Sequence, residues 1–186
     1  MDVLFLQETL GDENLTNEVL KNFLPYWDFF FLDVRGRSGG CAMGFNKRTI
    51  QVENSWGGEG FLGPDNSPSI IDILLRIINT YGPCHNRDFY WENLIQADFM
   101  QANNLIIGVD LNFFLGLAKT WGHSAQTDSL SSFFEGLLDD HNLINIELAQ
   151  IMLKWRNHKM WVDTLARRLD QFLIKASLLD KLENYR

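Results

Sequence analysis

The apolar positions of this chain fall into short runs separated by polar, glycine-rich punctuation, and the length and period of each run predict its element. Asn104–Asn112 is opened by asparagine and closed by Asp110-Leu111-Asn112, and its apolar middle has the length of a buried strand. Asp2–Gln7 is a second such run, with Glu8 at its tip and a polar turn at Gly11 behind it. Leu15, Val19, Leu20, Phe23 and Leu24 recur at helical spacing, so a helix capped by Asn14 or Thr16 is predicted through about Phe23, ended by Pro25.

Further along, Tyr26–Val34 is aromatic and β-prone, and Arg35-Gly36-Arg37-Ser38-Gly39-Gly40 reads as a turn. Cys41–Asn46 and Thr49–Asn54 flank Lys47-Arg48 and predict a hairpin, while Ser55–Ser69, with four Gly and two Pro, predicts an irregular loop. Ile70–Asn79 is a strand stopped at Asn79-Thr80-Tyr81-Gly82-Pro83, and Arg87 to about Gln101 is a helix leading into the central strand. Asn112 to Ala125 is a glycine-punctuated connection. Asp128 caps a helix over Ser129–Asp139 whose buried face is Leu130, Phe133, Phe134, Leu137 and Leu138. Leu143–Ile146 and Met152–Asn157 are short strand candidates, Arg167–Ile174 is a late strand, and a short helix is expected near Leu182. Strands and helices that alternate without a strict repeat imply a layered α/β domain.

Composition narrows the function classes. The chain has 186 residues, 46% apolar and 22% charged, which suits one domain with one sizeable core. A net charge of −8 argues against strong sequence-independent binding of nucleic acid, which depends on Lys and Arg releasing counterions. It leaves room for a nuclease, because a bound cation supplies positive charge locally. Cys41 and Cys84 lie far apart without metal-site spacing, and reduced thiols fit an intracellular setting, nuclear or cytoplasmic. The start carries no secretory signal pattern, and no apolar run reaches the roughly 18 residues of a membrane span, so no membrane partner is expected. Oligomeric state is not legible.

Candidate chemistry sits at strand ends, where Glu8, Tyr81, Asp110, Asn112 and Asp170 each follow an apolar run. Asp110 and Asn112, two apart, share a face, and a carboxylate beside an amide suits an open strand end rather than a dry core. Such oxygen donors fit a hard cation, yet most polar residues after a strand simply begin a solvated loop. The wording around them says more. Leu6-Gln7-Glu8-Thr9, Ser38-Gly39-Gly40, Asn79-Thr80-Tyr81-Gly82-Pro83, Gly108-Val109-Asp110-Leu111-Asn112 and Arg168-Leu169-Asp170-Gln171-Phe172-Leu173, in this order, resemble the endonuclease/exonuclease/phosphatase superfamily. Trp121-Gly122 and Trp155-Arg156-Asn157 extend the resemblance to endonuclease regions of plant LINE-type retrotransposons, and it spans about Asp2 to Leu179.

The resemblance implies a layered α/β sandwich of two mixed β-sheets flanked by helices, the deoxyribonuclease-like fold. It implies that Glu8 binds Mg²⁺ or Mn²⁺, that Asp110 orients or deprotonates the attacking water, and that Asn112 holds the scissile phosphate. Tyr81 would stand beside that phosphate, and Asp170 would orient a catalytic histidine. The family's upstream asparagine strand and its closing Ser-Asp-His strand have no match here. His85, His123, His141 and His158 all lie in other contexts. The expectation is therefore an incomplete single domain over residues 1–186, with open sheet edges and apolar faces.

Three functions follow from the resemblance: a Mg²⁺-dependent endonuclease-type phosphodiester hydrolase acting on DNA, a catalytically inactive retrotransposon-derived relic or binding module, and a phosphatase of the same superfamily. Fold alone does not choose among them. The basic concentration from Lys154 to Arg168, comprising Lys154, Arg156, His158, Lys159, Arg167 and Arg168 around Trp155, reads either as a weak DNA grip or as a solvated face.

Overall fold

Two apolar layers organise the chain, and strand alternation decides which residue enters which layer. The computed structural model describes residues 2–9, 12–32, 40–58, 60–68, 73–113, 120–121, 128–146, 155–156, 166–167 and 169–183. In chain order the first half runs β1 (Val3–Thr9), α1 (Glu13–Phe23), β2 (Trp27–Leu32), β3 (Gly40–Asn46), β4 (Ile50–Gly58), β5 (Phe61–Pro68) and β6 (Leu75–Tyr81). It continues with α2 (Arg87–Gln96), a 3-10 turn (Asp98–Gln101), β7 (Leu105–Asp110), β8 (Thr120–Trp121), α3 (Leu130–Asp140) and β9 (Leu143–Asn145). The last described elements are β10 (Trp155–Arg156), β11 (Ala166–Arg167), β12 (Asp170–Lys175) and α4 (Ala176–Glu183).

A three-stranded antiparallel sheet, β1-β3-β2, faces a six-stranded mixed sheet, β4-β5-β6-β7-β12-β9. Within the larger sheet β6 and β7 are parallel, which demands a crossover, and α2 with the 3-10 turn supplies it. The short ladder β10-β11-β8 stands apart from both. Between the two sheets lies one core of Met43, Phe45, Leu62, Leu75, Ile77 and Ile174. Under the helices lies the other, built on Ile78, Trp91, Leu94, Ile107, Phe134 and Leu173. Neighbours in sequence, such as Ile77 and Ile78 or Leu173 and Ile174, enter opposite cores because successive strand side chains point to opposite faces. The architecture is the α/β sandwich of two sheets flanked by helices that the resemblance implied. No helix among the described residues is long and apolar enough to cross a membrane.

Several local expectations are corrected. Cys41–Asn46 and Thr49–Asn54 do not pair as a hairpin: β3 is the central strand of the small sheet, with both edges taken by β1 and β2, and β4 crosses to the large sheet. Ser55–Ser69 is not an irregular loop. Its residues complete β4 and form β5, turning at Gly60, whose φ of 78° is a conformation glycine adopts without strain. Gly63 lets Ile78 and Trp56 close over the strand. The cap of α1 is Asp12, whose carboxylate accepts from Asn14 and Leu15 N–H, rather than Asn14 or Thr16. Asp128 does cap the start of α3, accepting from Leu130 N–H at 3.0 Å. On α3, Leu130, Phe134 and Leu137 are buried as expected and Leu138 packs partly beneath, whereas Phe133 is exposed. The apolar residues Leu15, Val19 and Phe23 of α1 also remain exposed.

Candidate functional site

Three ends of the large sheet carry the site. Asp110 closes β7, and the ladder sets it opposite Tyr81 of β6 on one side and Asp170 of β12 on the other. Gly108 meets Phe5 of the small sheet, and Ile77 and Ile174 belong to the inter-sheet core. Alternation therefore sends Tyr81, Asp110 and Asp170 to the face that looks at the small sheet.

From that small sheet comes Glu8. The pairing of β1 with β3 runs to Gln7 opposite Cys41 and resumes at Thr9 opposite Gly40, so Glu8 is bulged out of register with φ 56°. The bulge turns an exposed carboxylate toward β6, where Tyr81 Oη donates to Glu8 Oε1 at 2.7 Å. Asn112 adopts φ 53°, a left-handed conformation that asparagine tolerates better than most residues. Its backbone N–H donates to Asp110 Oδ1 at 2.9 Å, and its side-chain amide donates to the Gly82 carbonyl. Gly82 N–H in turn donates to the Asp110 carbonyl at 2.7 Å. A Cβ at Gly82 would stand 2.8 Å from both the Leu111 carbonyl and Trp91, so only glycine lets this loop close on the strand end. Glu8, Tyr81, Asp110, Asn112 and Asp170, scattered over the sequence, are thus gathered at one end of the sandwich.

Burial holds the Tyr81 phenol well above the ordinary tyrosine range; a hydrogen bond from Asn112 works against that, and the Glu8 contact adds to it. Tyr81 is therefore a protonated donor at neutral pH. Cys41, opposite Gln7, has its thiol pushed up to about 12 by burial, with the Asp110 charge adding to the effect. It is a neutral packing group rather than a nucleophile. Glu8, Asp110, Asn112 and Asp170 offer carboxylate and amide oxygens, donors of the kind that suit a hard cation rather than a thiolate or imidazole metal site. Among the described residues no group of three His, Cys, Asp or Glu could hold a metal ion by itself.

Two residues with a direct hand in this geometry, Gln7 and Asn79, fall inside the quoted motifs but carry no role that spacing could assign. Their link crosses 72 positions of sequence. Of the basic concentration, Lys154, His158, Lys159 and Arg168 lie outside the described residues, as do Gly122 and Asn157 of the tryptophan motifs. The ladder does set Trp155 opposite Arg167 and Arg156 opposite Ala166, with Ala166 opposite Trp121.

No protein-family model matches the chain, and no curated protein matches it. Solved structures do. The endonuclease domain of TRAS1, a telomere-specific non-LTR retrotransposon, superposes with a TM-score of 0.69 at 13% identity, over 96% of this chain and 75% of that one. The 3′ phosphatase NExo from Neisseria, bound to product DNA hairpin, gives 0.64 at 14% identity, over 95% and 77%. An endonuclease/exonuclease/phosphatase family protein from Bacteroides thetaiotaomicron gives 0.61 at 11% identity, over 95% and 70%. At such identities the likeness is one of fold, and the fold of this chain is the nuclease-like α/β sandwich those proteins share.

Proposed function

We propose that this chain is a Mg²⁺-dependent phosphodiester hydrolase of the endonuclease type, with DNA as its substrate class. The observation that carries the reading is the bridge from Glu8 on one sheet, through the Tyr81 phenol, to the end of the other sheet where Asp110, Asn112 and Asp170 stand. Most of a sandwich edge has no reason to gather two sheet-end carboxylates, a bulged one and an amide in one place. The DNA product held by NExo supports the substrate class.

In this reading Asp110 accepts the proton of the attacking water. One of its oxygens is already engaged by Asn112 N–H, which fixes the plane of the carboxylate. With a phosphate in place, the Tyr81 phenol would turn its one proton from Glu8, and Asn112 one of its side-chain N–H groups from its present partners, toward non-bridging oxygens of the scissile phosphate, where charge builds as the bond to phosphorus forms. Asp170 stands directly across the ladder from Asp110, where the resemblance would have it orient a histidine. Glu8 would hold the Mg²⁺ ion, which when bound supplies charge neutralisation at the phosphate and at the leaving oxygen. The acidic chain as a whole binds DNA weakly, and the Lys154–Arg168 concentration is the segment that meets the phosphate backbone.

A phosphatase reading has support of its own, since NExo is a 3′ phosphatase of the same fold. One experiment separates the readings. Purified chain is incubated in Mg²⁺ with supercoiled plasmid and, in parallel, with a DNA hairpin carrying a 3′-phosphate, beside chelator and Asp110→Ala controls. Metal-dependent nicking that disappears in Asp110→Ala is the expected result. Release of inorganic phosphate without nicking would select the phosphatase, and folded protein inert on both substrates would refute hydrolysis and leave the binding module.

A further inference from the structure

The side chain of Asn79 is fully buried on β6, two residues before Tyr81 and so on the same face. Its Nδ2 donates to the Leu6 carbonyl at 2.9 Å and to the Ala42 carbonyl at 3.0 Å. Its Oδ1 accepts from Gln7 Nε2 at 2.9 Å, and the same Nε2 donates to the Thr80 carbonyl at 2.8 Å. Two amides thus use both of their N–H pairs at the gap between the sheets, tying β1 and β3 of the small sheet to β6 of the large one. Gln7 immediately precedes the bulged Glu8, and Thr80 immediately precedes Tyr81.

We propose that Gln7 and Asn79 are positioning residues, an amide clasp that sets the Glu8 carboxylate against the Tyr81 phenol. The rest of the inter-sheet layer is largely apolar, with Phe5, Met43, Ile77 and Ile174 in contact, and its other buried amide, Asn66, donates to Pro64 of its own strand rather than across the sheets. Apolar burial is non-directional and constrains the sliding of one sheet over another weakly. A hydrogen-bonded amide network at such a gap is directional and fixes one register. Glu8 also needs such a constraint, because a non-glycine residue in the left-handed region persists only where its surroundings hold it there. The clasp fixes the residues on both sides of the Glu8–Tyr81 contact, one chain position away from each. It deepens the site reading above, and if Glu8 holds the cation, the clasp also governs how well it does so.

The test is a Gln7→Met variant, equal in length but without the amide, at a half-buried position on an edge strand that tolerates the change. The control is Ile174→Val, which weakens the same inter-sheet layer without touching the clasp. The chain has four tyrosines. They are labelled with 3-fluorotyrosine, and the Tyr81 fluorine resonance is assigned with Tyr81→Phe. In Gln7→Met that resonance is expected to move to its position in Glu8→Ala, and in Ile174→Val to stay at its wild-type position. Tb³⁺, used as the cation probe and read by its sensitised luminescence, should bind Gln7→Met roughly ten- to a hundredfold more weakly, the usual loss when a group behind a metal ligand is removed. A Gln7→Met resonance that stays at the wild-type position, or an Ile174→Val resonance that moves as far, would overturn the positioning role. Wild-type protein that binds no Tb³⁺ would refute the cation reading alone, while the fluorine arm still decides the clasp.

Discussion

Replacing Tyr81 by phenylalanine removes one oxygen from the contact between the two sheets and should change stability in a pH-dependent way. At neutral pH the loss is the 2.7 Å bond to Glu8. A hydrogen bond to a charged group contributes about 1.5–3 kcal/mol when buried, and because the Glu8 carboxylate is exposed the expected loss is nearer 1 kcal/mol. At alkaline pH the advantage of the wild type shrinks. The folded phenol titrates above its unfolded value, burial being the main cause, so its protonated form is favoured by the native state. Its contribution is complete below an unfolded pKa of about 10 and declines as pH rises toward the folded one, because the unfolded chain sheds the proton first. One such group costs up to about 1.4 kcal/mol between pH 9 and 11, and roughly half that once screening at a partly open site is allowed for. Urea denaturation of wild type and Tyr81→Phe at pH 7, 9, 10 and 11 measures both effects. The two stability curves should converge above pH 9, with the variant the flatter. Parallel curves over the whole range would refute the argument, since they would mean that Tyr81 titrates alike in the folded and unfolded chains.

Other expectations follow from the same geometry. Mg²⁺ or Mn²⁺ should raise the melting temperature of the wild type and leave that of Glu8→Ala unchanged, because a ligand of the folded state stabilises it; an equal shift in both would remove Glu8 from the cation site. Gly108→Ala should destabilise by about 1–3 kcal/mol in denaturant titration, since the added Cβ would stand 2.7 Å from the Phe5 ring, itself edge-on to Phe172 with ring centroids 5.4 Å apart. In native protein a thiol reagent should label Cys84 promptly and Cys41 only after unfolding, because Cys84 is exposed whereas Cys41 is buried with its thiol pushed up to about 12. Prompt labelling of two thiols would contradict the buried placement of Cys41.

Much of the fold was legible because its strands are written as short apolar runs with distinct ends. The tips of β1, β6, β7 and β12 were each marked by a polar residue, and those marks are the residues the site gathers. Legibility failed where pairing is decided at a distance. Lys47-Arg48 looks like a hairpin tip from either side, yet β3 finds better partners on both flanks in β1 and β2, and no local signal records that. The glycines and prolines of Ser55–Ser69 look like a loop, although Gly63 is needed for close packing under Ile78 and Gly60 for a turn. The capping of α1 slipped by two positions because three polar residues in succession compete for the role, and backbone geometry chose Asp12.

The sequence by itself determined most of the strands outside Ser55–Ser69, the helix that crosses between β6 and β7, and which side chains stand at strand ends, because these follow from period, length and residue chemistry within a few neighbours. Only the tertiary structure decided that Glu8 leaves its ladder by a bulge to meet Tyr81, that Asp110 stands between Tyr81 and Asp170 on one rung, and that Gln7 and Asn79 lock the two sheets together beside them. Those relations join residues 29 to 73 positions apart and are set by the register of one strand or sheet on another. Register depends on the whole apolar interface and on buried hydrogen bonds that exist only once the sheets have met.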